Sequence, residues 1–232
     1  MTDSFATDGY AWRRALADAR LVEELRAAVD SATGDDQPTT RGGARYAARN
    51  LLDSPGIDRF ARGGLVQQAI GELTGAGAFP VRAILFDKLA EANWRVGWHQ
   101  DLIIAVRERI DTPGFTAWSV KQGVPHVKPP SEVLREMVTL RLHLDDADHG
   151  NGPLLVLPGS HRWGEVEPAE VPERIAEQTQ TECLAAVGDA LFMRPLLMHA
   201  SSKAAAPRRR RVLHIEFAAA PLPGGMRWST EP

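Results

Sequence analysis

Val138-Thr139-Leu140-Arg141-Leu142-His143-Leu144 alternates strictly, with Val138, Leu140, Leu142 and Leu144 on one side and Thr139, Arg141 and His143 on the other. Successive side chains of a β-strand point to opposite faces, so the segment predicts a strand with one apolar and one polar, partly cationic face. Two placements fit: the polar face lines a cavity that binds an anion, or it meets water on an edge strand. Similar runs separated by Gly, Pro and Asp occur from Pro80 onward: Val81–Phe86, Leu154–Leu157, Cys183–Val187, Ala190–Met193, Leu196–His199 and Val212–Phe217. So many short strands with turn signals predict a β-sandwich or barrel.

The chain upstream mixes helix and strand. Tyr10–Arg13 reads as a short strand, and Ser31–Gly43 as a polar loop. Asp18 is placed to cap a helix with the stripe Leu21, Val22, Leu25, Ala28 and Val29. A second helix is expected over Leu65–Leu73 and is stopped by Gly75-Ala76-Gly77. The 232 residues suit one domain, 1–232, with a helical part over 1–79 packing on a core over 80–220. Lys plus Arg, 27, nearly balances Asp plus Glu, 30, so nothing global favours a nucleic acid or an anionic membrane as partner. A single cysteine, Cys183, allows neither an internal disulfide nor a cysteine metal cluster, and a reducing cytoplasm is the default expectation. The start, Met1–Phe5, lacks the apolar run of a signal peptide. No stretch approaches the about 20 apolar residues that span a bilayer.

Three features could carry chemistry. In an extended stretch His99 and Asp101, two apart, point the same way, and iron(II) takes such nitrogen and oxygen ligands on one face with other positions open. A His-x-Asp tripeptide alone is more often a surface pair. His199 follows the apolar Pro195–Met198, where an imidazole is either a hydrogen-bonded core group or a further ligand. The run Arg208-Arg209-Arg210-Arg211 leads into the strand Val212–Phe217. Such a run is commonly a solvated face or a nucleic-acid patch. Alternation groups Arg208 with Arg210 and Arg209 with Arg211, and an inward guanidinium suits a carboxylate.

These features occur in a recognisable order: His99-x-Asp101, then Asn151-Gly152-Pro153-Leu154, Leu157-Pro158-Gly159-Ser160-His161, Gly188-Asp189, His199 and Arg210-Arg211-Val212-Leu213. Over roughly Val81–Phe217 the chain closely resembles the phytanoyl-CoA dioxygenase family of iron(II)/2-oxoglutarate oxygenases. The resemblance implies a mainly β fold with flanking α-helices, a double-stranded β-helix or jelly-roll of the cupin-like kind. It implies His99, Asp101 and His199 as iron ligands, and Arg210 as partner of the distal carboxylate of 2-oxoglutarate, with Ser201 sharing it. Lys88 falls where many relatives carry a lysine. The two turn segments carry structure, so His161 is not expected at the metal. The loop after His199 lacks the family's usual Asn, and Arg82 and Ile84 stand where some relatives have small polar residues. What holds the keto-acid end therefore stays unassigned.

The activity implied is hydroxylation of a small metabolite with iron(II), 2-oxoglutarate and O2. Asp101 supplies a carboxylate that halogenating relatives lack. The rivals are a cupin-like metal-dependent isomerase or hydrolase, which does not need Arg210, a non-catalytic binding barrel, and a nucleic-acid protein. Arg141, Thr139, His143 and Arg82 are candidates for contact with an anionic group of the substrate. Trp98, with Trp94, Phe115 and Trp118, is a candidate pocket wall, although core packing is the commoner role of such aromatics.

Overall fold

The computed structural model describes residues 2–32, 39–41, 44–75, 77–89 and 93–231. In chain order the strands are β1 Tyr10–Arg13, β2 Thr39–Arg41, β3 Ala44–Ala48, β4 Phe79–Lys88, β5 Val96–His99, β6 Ile104–Ala105 and β7 Thr116–Lys121. There follow β8 Val124–Lys128, β9 Val138–His143, β10 Leu154–Val156, β11 Thr181–Cys183, β12 Ala190–Met193, β13 His199–Ser201 and β14 Arg210–Ala218. A seven-stranded sheet has the order β1-β12-β9-β14-β4-β3-β2, a four-stranded sheet β11-β10-β13-β5, and a three-stranded sheet β6-β8-β7. The pairings are antiparallel throughout. Side chains of β4 and β14 meet β13 of the smaller sheet, so the architecture is a jelly-roll with open edges, not a closed barrel.

The register sorts the large sheet's two faces. His214 of β14 lies opposite Arg141 of β9 and Ile84 of β4, and Glu216 opposite Thr139 and Arg82. The alternate residues Leu140, Leu142, Leu213, Ile215, Ala83, Leu85 and Phe192 form the other face. That face packs on Val22, Leu25 and Val29 of helix α2 (Ala19–Ala32), on Ile57 and Phe60 of α3 (Pro55–Arg62), and on Val66, Ile70 and Leu73 of α4 (Gly64–Thr74). This is the main apolar core. The polar face of β9 is therefore buried inside the jelly-roll, and the edge-strand placement does not hold, because β9 lies between β12 and β14.

The expected helices occur: Asp18 caps α2 through its Oδ1, which accepts the Leu21 N–H at 2.8 Å, and Gly75 ends α4 with φ +71°. Residues 1–79 also contribute β1–β3 to the large sheet, besides helices. The 31–43 loop holds the end of α2 and the strand Thr39–Arg41, and its remaining residues lie outside those described. Two expected strands are displaced. Leu196–Met198 is a turn closed by Leu197 N–H to Arg194 O at 3.0 Å, and its strand starts at His199. The run is apolar because Leu196, Leu197 and Met198 enter three different clusters. The Cys183–Val187 strand is Thr181–Cys183 instead, since Val187-Gly188 turns with φ +86° at Gly188. The helix Pro55–Arg62, with Ile57, Phe60 and Ala61 on its buried side, and the β7–β8 hairpin lie outside the elements expected from the sequence.

Candidate active site

β5 and β13 pair His99 directly with His199, and the two rings lie 4.1 Å apart between centroids. Gln100 points away from both. Its Nε2 donates to the carbonyls of Gly164 and Leu196, each at 2.7 Å, and its Oε1 accepts the Val166 N–H at 2.9 Å. The Asp101 N–H donates to Pro195 O at 2.9 Å. These bonds turn the Asp101 carboxylate back to the histidines, with Oδ2 3.8 Å from His199 Nε2. Ligand atoms of His99, Asp101 and His199 all lie within 4.8 Å of one another.

The protons are arranged for a cation. Nδ1 of His99 lies 2.8 Å from Gly97 O and Nδ1 of His199 2.8 Å from Leu197 O, so each Nδ1 carries the hydrogen and each Nε2 offers a lone pair. Burial, aided by His99, pushes the His199 imidazole down to about 3, so it is neutral as a ligand must be. Burial raises the Asp101 carboxyl, but His199, His214, His99 and Arg82 outweigh it and hold the group well below the carboxylate range. Asp101 Oδ2 is buried without a hydrogen-bond partner. A buried, ionised oxygen left unpaired beside two imidazole lone pairs fits a divalent cation.

Beside this triad lies a cationic pair. Arg210 of β14 and Lys88 of β4 are register partners. Lys88 Nζ donates to Ser201 Oγ at 3.2 Å and Ser202 O at 2.5 Å, while Arg210 Nη2 reaches Ser201 Oγ at 3.5 Å. Both side chains are buried, and among the described residues neither has a carboxylate partner. Burial, reinforced by Arg210, lowers the Lys88 ammonium to about 8. Burial, reinforced by Arg141, lowers the Arg210 guanidinium to about 10. Gly152 is required where the Asn151–Leu154 turn meets this pair: at φ +68° a Cβ would lie 2.6 Å from Ser202 O and 2.9 Å from Lys88 Nζ.

The other arginines of the run have structural partners. Arg208 pairs with Asp148, and Arg209 with Asp87 at 2.9 Å. Arg211, grouped with Arg209 by alternation, does not belong to a solvated face: it is buried at 7% exposure and holds Asp145 with two bonds of 2.9 Å. Arg141, Thr139 and His143 all face the interior, and His143 is pushed down to about 3 by burial, Arg141 and Arg210. Arg82 is engaged by Glu216. Trp98 lies on the opposite side of β5 from His99 and packs on Leu157, Val166 and Met198, which corrects its expected place in a pocket wall. Phe115 and Trp118 belong to a separate core cluster, whereas Trp94 lies 5.6 Å from Lys88 Nζ. His161 sits in a surface cleft with Ala6, Arg162 and Arg194, away from the triad. Sequence reasoning missed Gln100, whose bracing depends on contacts distant in the chain. It also missed His214 and Glu216, although their even spacing from Arg210 placed them on the same face.

A jelly-roll holding His-x-Asp and a distant histidine on paired strands defines the class of mononuclear non-haem iron oxygenases. The chain belongs to the phytanoyl-CoA dioxygenase family, whose model matches residues 5–212, and it is an iron(II)/2-oxoglutarate-dependent dioxygenase. The fold is similar to AviO1 from Streptomyces viridochromogenes Tue57, with a TM-score of 0.69 and 23% identity over 96% of each chain. It is similar to EctD from S. alaskensis, solved with 2-oxoglutarate and 5-hydroxyectoine, with a TM-score of 0.72, 19% identity, and coverage of 94% of this chain and 74% of that one. SnoK, a non-heme alpha ketoglutarate dependent carbocyclase from nogalamycin biosynthesis, gives a TM-score of 0.72 and 13% identity over 95% of this chain and 83% of that one. No curated protein sequence matches the chain significantly.

Proposed function

We propose that this chain, acting as one catalytic domain, hydroxylates a small-molecule metabolite in the cytoplasm. In this reading iron(II) is held by His99, Asp101 and His199, and the distal carboxylate of 2-oxoglutarate by Arg210, Lys88 and Ser201. The observation that carries it is one juxtaposition. Three converging ligand atoms include a buried, partnerless carboxylate oxygen, and two buried cations without a carboxylate lie on the strands facing them.

Bound iron supplies the coupling of O2 to the oxidative decarboxylation of 2-oxoglutarate to succinate and carbon dioxide, with oxygen inserted into a substrate C–H bond. The protein supplies position. The two committed Nδ1–H groups fix the ring orientations, and Gln100 fixes the turn that delivers Asp101. Arg210 offers a planar fork, Lys88 a point charge and Ser201 a hydroxyl, which together complement one carboxylate in a site closed to water. A cupin-like isomerase has no use for this cation pair. No described helix is long and apolar enough to cross a membrane.

Turnover with a panel of metabolites under iron(II), 2-oxoglutarate and O2, read by mass spectrometry, tests the proposal. Succinate and a product heavier by one oxygen should appear in equal amounts. Substrate conversion that does not consume 2-oxoglutarate would favour the isomerase or hydrolase instead.

A further inference from the structure

Arg141 has no part in holding either the metal or the cosubstrate as assigned above, yet it is among the most buried charges in the molecule, at 6% exposure. It projects from the middle of β9 into the jelly-roll, opposite His214 on one side and Leu191 on the other. Its Nη1 donates to His214 Nδ1 at 3.1 Å. An accepting Nδ1 leaves the imidazole hydrogen on Nε2, which lies 3.4 Å from Glu216 Oε1. Glu216 in turn takes Arg82 as its ion-pair partner. The four residues form a directed chain, Arg141 to His214 to Glu216, closed by Arg82. Phe86 locks it from the side, with its ring edge-on to His214 at 5.5 Å and 5.7 Å from the Arg141 guanidinium carbon.

The chain orients Arg141 without neutralising it. The charge of Glu216 is matched by Arg82, and His214 meets Arg141 as a neutral acceptor. Among the described residues no carboxylate forms an ion pair with Arg141, and its Nε has no hydrogen-bond partner. A structural arginine in a core is normally paired, because an uncompensated buried charge is strongly unfavourable. Arg211 in the same molecule is such an arginine, satisfied by Asp145. The loaded site does not balance Arg141 either. The charge of iron(II) is met by Asp101 and the keto-acid carboxylate, and the distal carboxylate meets Arg210 and Lys88. Arg210 and Lys88 are thus two cations on one carboxylate, and Arg141 is a further fixed cation on the inner wall with no carboxylate of its own among the described residues.

We propose that Arg141 is the specificity-determining group for an acidic substrate, pairing with a carboxylate or comparable small oxyanion while His214 and Glu216 act as positioning residues. This rests on the reading of the iron and 2-oxoglutarate sites given above. The substrate is then an anion whose charged end lies on β9, with the carbon to be oxidised directed at the His99–Asp101–His199 centre. A guanidinium fork held at Nη1 keeps its Nε and second Nη for a two-pronged contact.

The test uses full-length protein with 15N-labelled arginine, loaded with zinc(II) and saturating 2-oxoglutarate. The Nε–H resonance of Arg141 is assigned by its loss in Arg141→Gln. Acetate should shift that resonance saturably, whereas acetamide should not. His214→Phe should weaken the acetate response about tenfold while leaving the 2-oxoglutarate dissociation constant within about twofold, as expected of a group that orients Arg141. Arg141→Lys, which keeps the charge, should lose the same resonance and leave the 2-oxoglutarate dissociation constant within about twofold, which guards against misfolding of the Gln variant. No acetate response at intact 2-oxoglutarate affinity would overturn the inference and leave the proposed function standing. A tenfold loss of 2-oxoglutarate affinity in Arg141→Gln would assign Arg141 to the cosubstrate and also overturn it. Failure of the wild type to bind 2-oxoglutarate would remove the proposed function, and this inference with it.

Discussion

Arg210 and Arg211 are adjacent, both buried, and on opposite faces of β14, so exchanging each for a neutral residue should have opposite consequences. Arg211→Ala removes two charged hydrogen bonds of 2.9 Å to Asp145, whose carboxylate is left with Arg26 at 2.9 Å and the Arg211 backbone N–H at 2.8 Å. Charged hydrogen bonds are worth about 1.5–3 kcal/mol each, and Arg26 retains part of the compensation, so the net loss is about 2–4 kcal/mol. For a domain of this size that lowers Tm by about 5–15 °C. The dissociation constant for 2-oxoglutarate should change by less than about threefold, because Arg211 faces the helical layer. Arg210→Gln removes a guanidinium whose Nε lacks a partner, so Tm should hold or rise. The same substitution removes the proposed partner of the distal carboxylate and should weaken 2-oxoglutarate binding about ten- to a hundredfold. Calorimetric titration and thermal unfolding of the two variants read both effects. Loss of 2-oxoglutarate binding in Arg211→Ala with none in Arg210→Gln would refute the face assignment and the account of the cation pair.

Three further outcomes follow from the same contacts. Gln100→Leu breaks the three bonds that brace the His99–Asp101 turn and should weaken iron(II) binding at least about tenfold, read by anaerobic metal titration. The Lys88 ammonium titrates near 8 because of burial and Arg210, so 2-oxoglutarate affinity should fall as pH rises from about 7.5 to 9.5; Lys88→Met should bind more weakly with no such slope. Burial raises the Asp145 carboxyl, but Arg211 and Arg26 outweigh it and hold the group below its ordinary value. Its contribution to stability is therefore complete above the unfolded value of about 3.9 and is lost as pH falls through the lower folded one. Wild type and Arg211→Ala should accordingly converge in stability below about pH 4.

What the sequence made legible were patterns with a period. The alternation of β9 and β14 grouped Arg141 with Thr139 and His143, and Arg210 with Arg208, while which face is inside came only from the sheet order; Asp18 and Gly75 marked the ends of real helices. His99 and Asp101 were legible as a pair, and their union with His199 came from the order of motifs. What escaped was set by tertiary contact. Leu196–Met198 mimicked a strand because a turn buried in three clusters is as apolar as one. Trp98 looked like a pocket wall because sequence proximity to His99 does not reveal that neighbours on a strand face apart. Arg211 looked solvated because Asp145, its partner, lies on the other side of a long chain excursion.

The central claim is that one iron(II) bound by His99, Asp101 and His199 takes 2-oxoglutarate as its chelating cosubstrate. Anaerobic titration of the iron(II)-loaded protein with 2-oxoglutarate, followed by visible absorption, tests it most directly. The wild type should develop the weak charge-transfer band of a keto-acid chelate that saturates at one cosubstrate per chain. His199→Ala should show none, and Arg210→Gln should reach the same band only at higher 2-oxoglutarate. A full-strength band in His199→Ala, or no band in wild type with iron bound, would contradict the account.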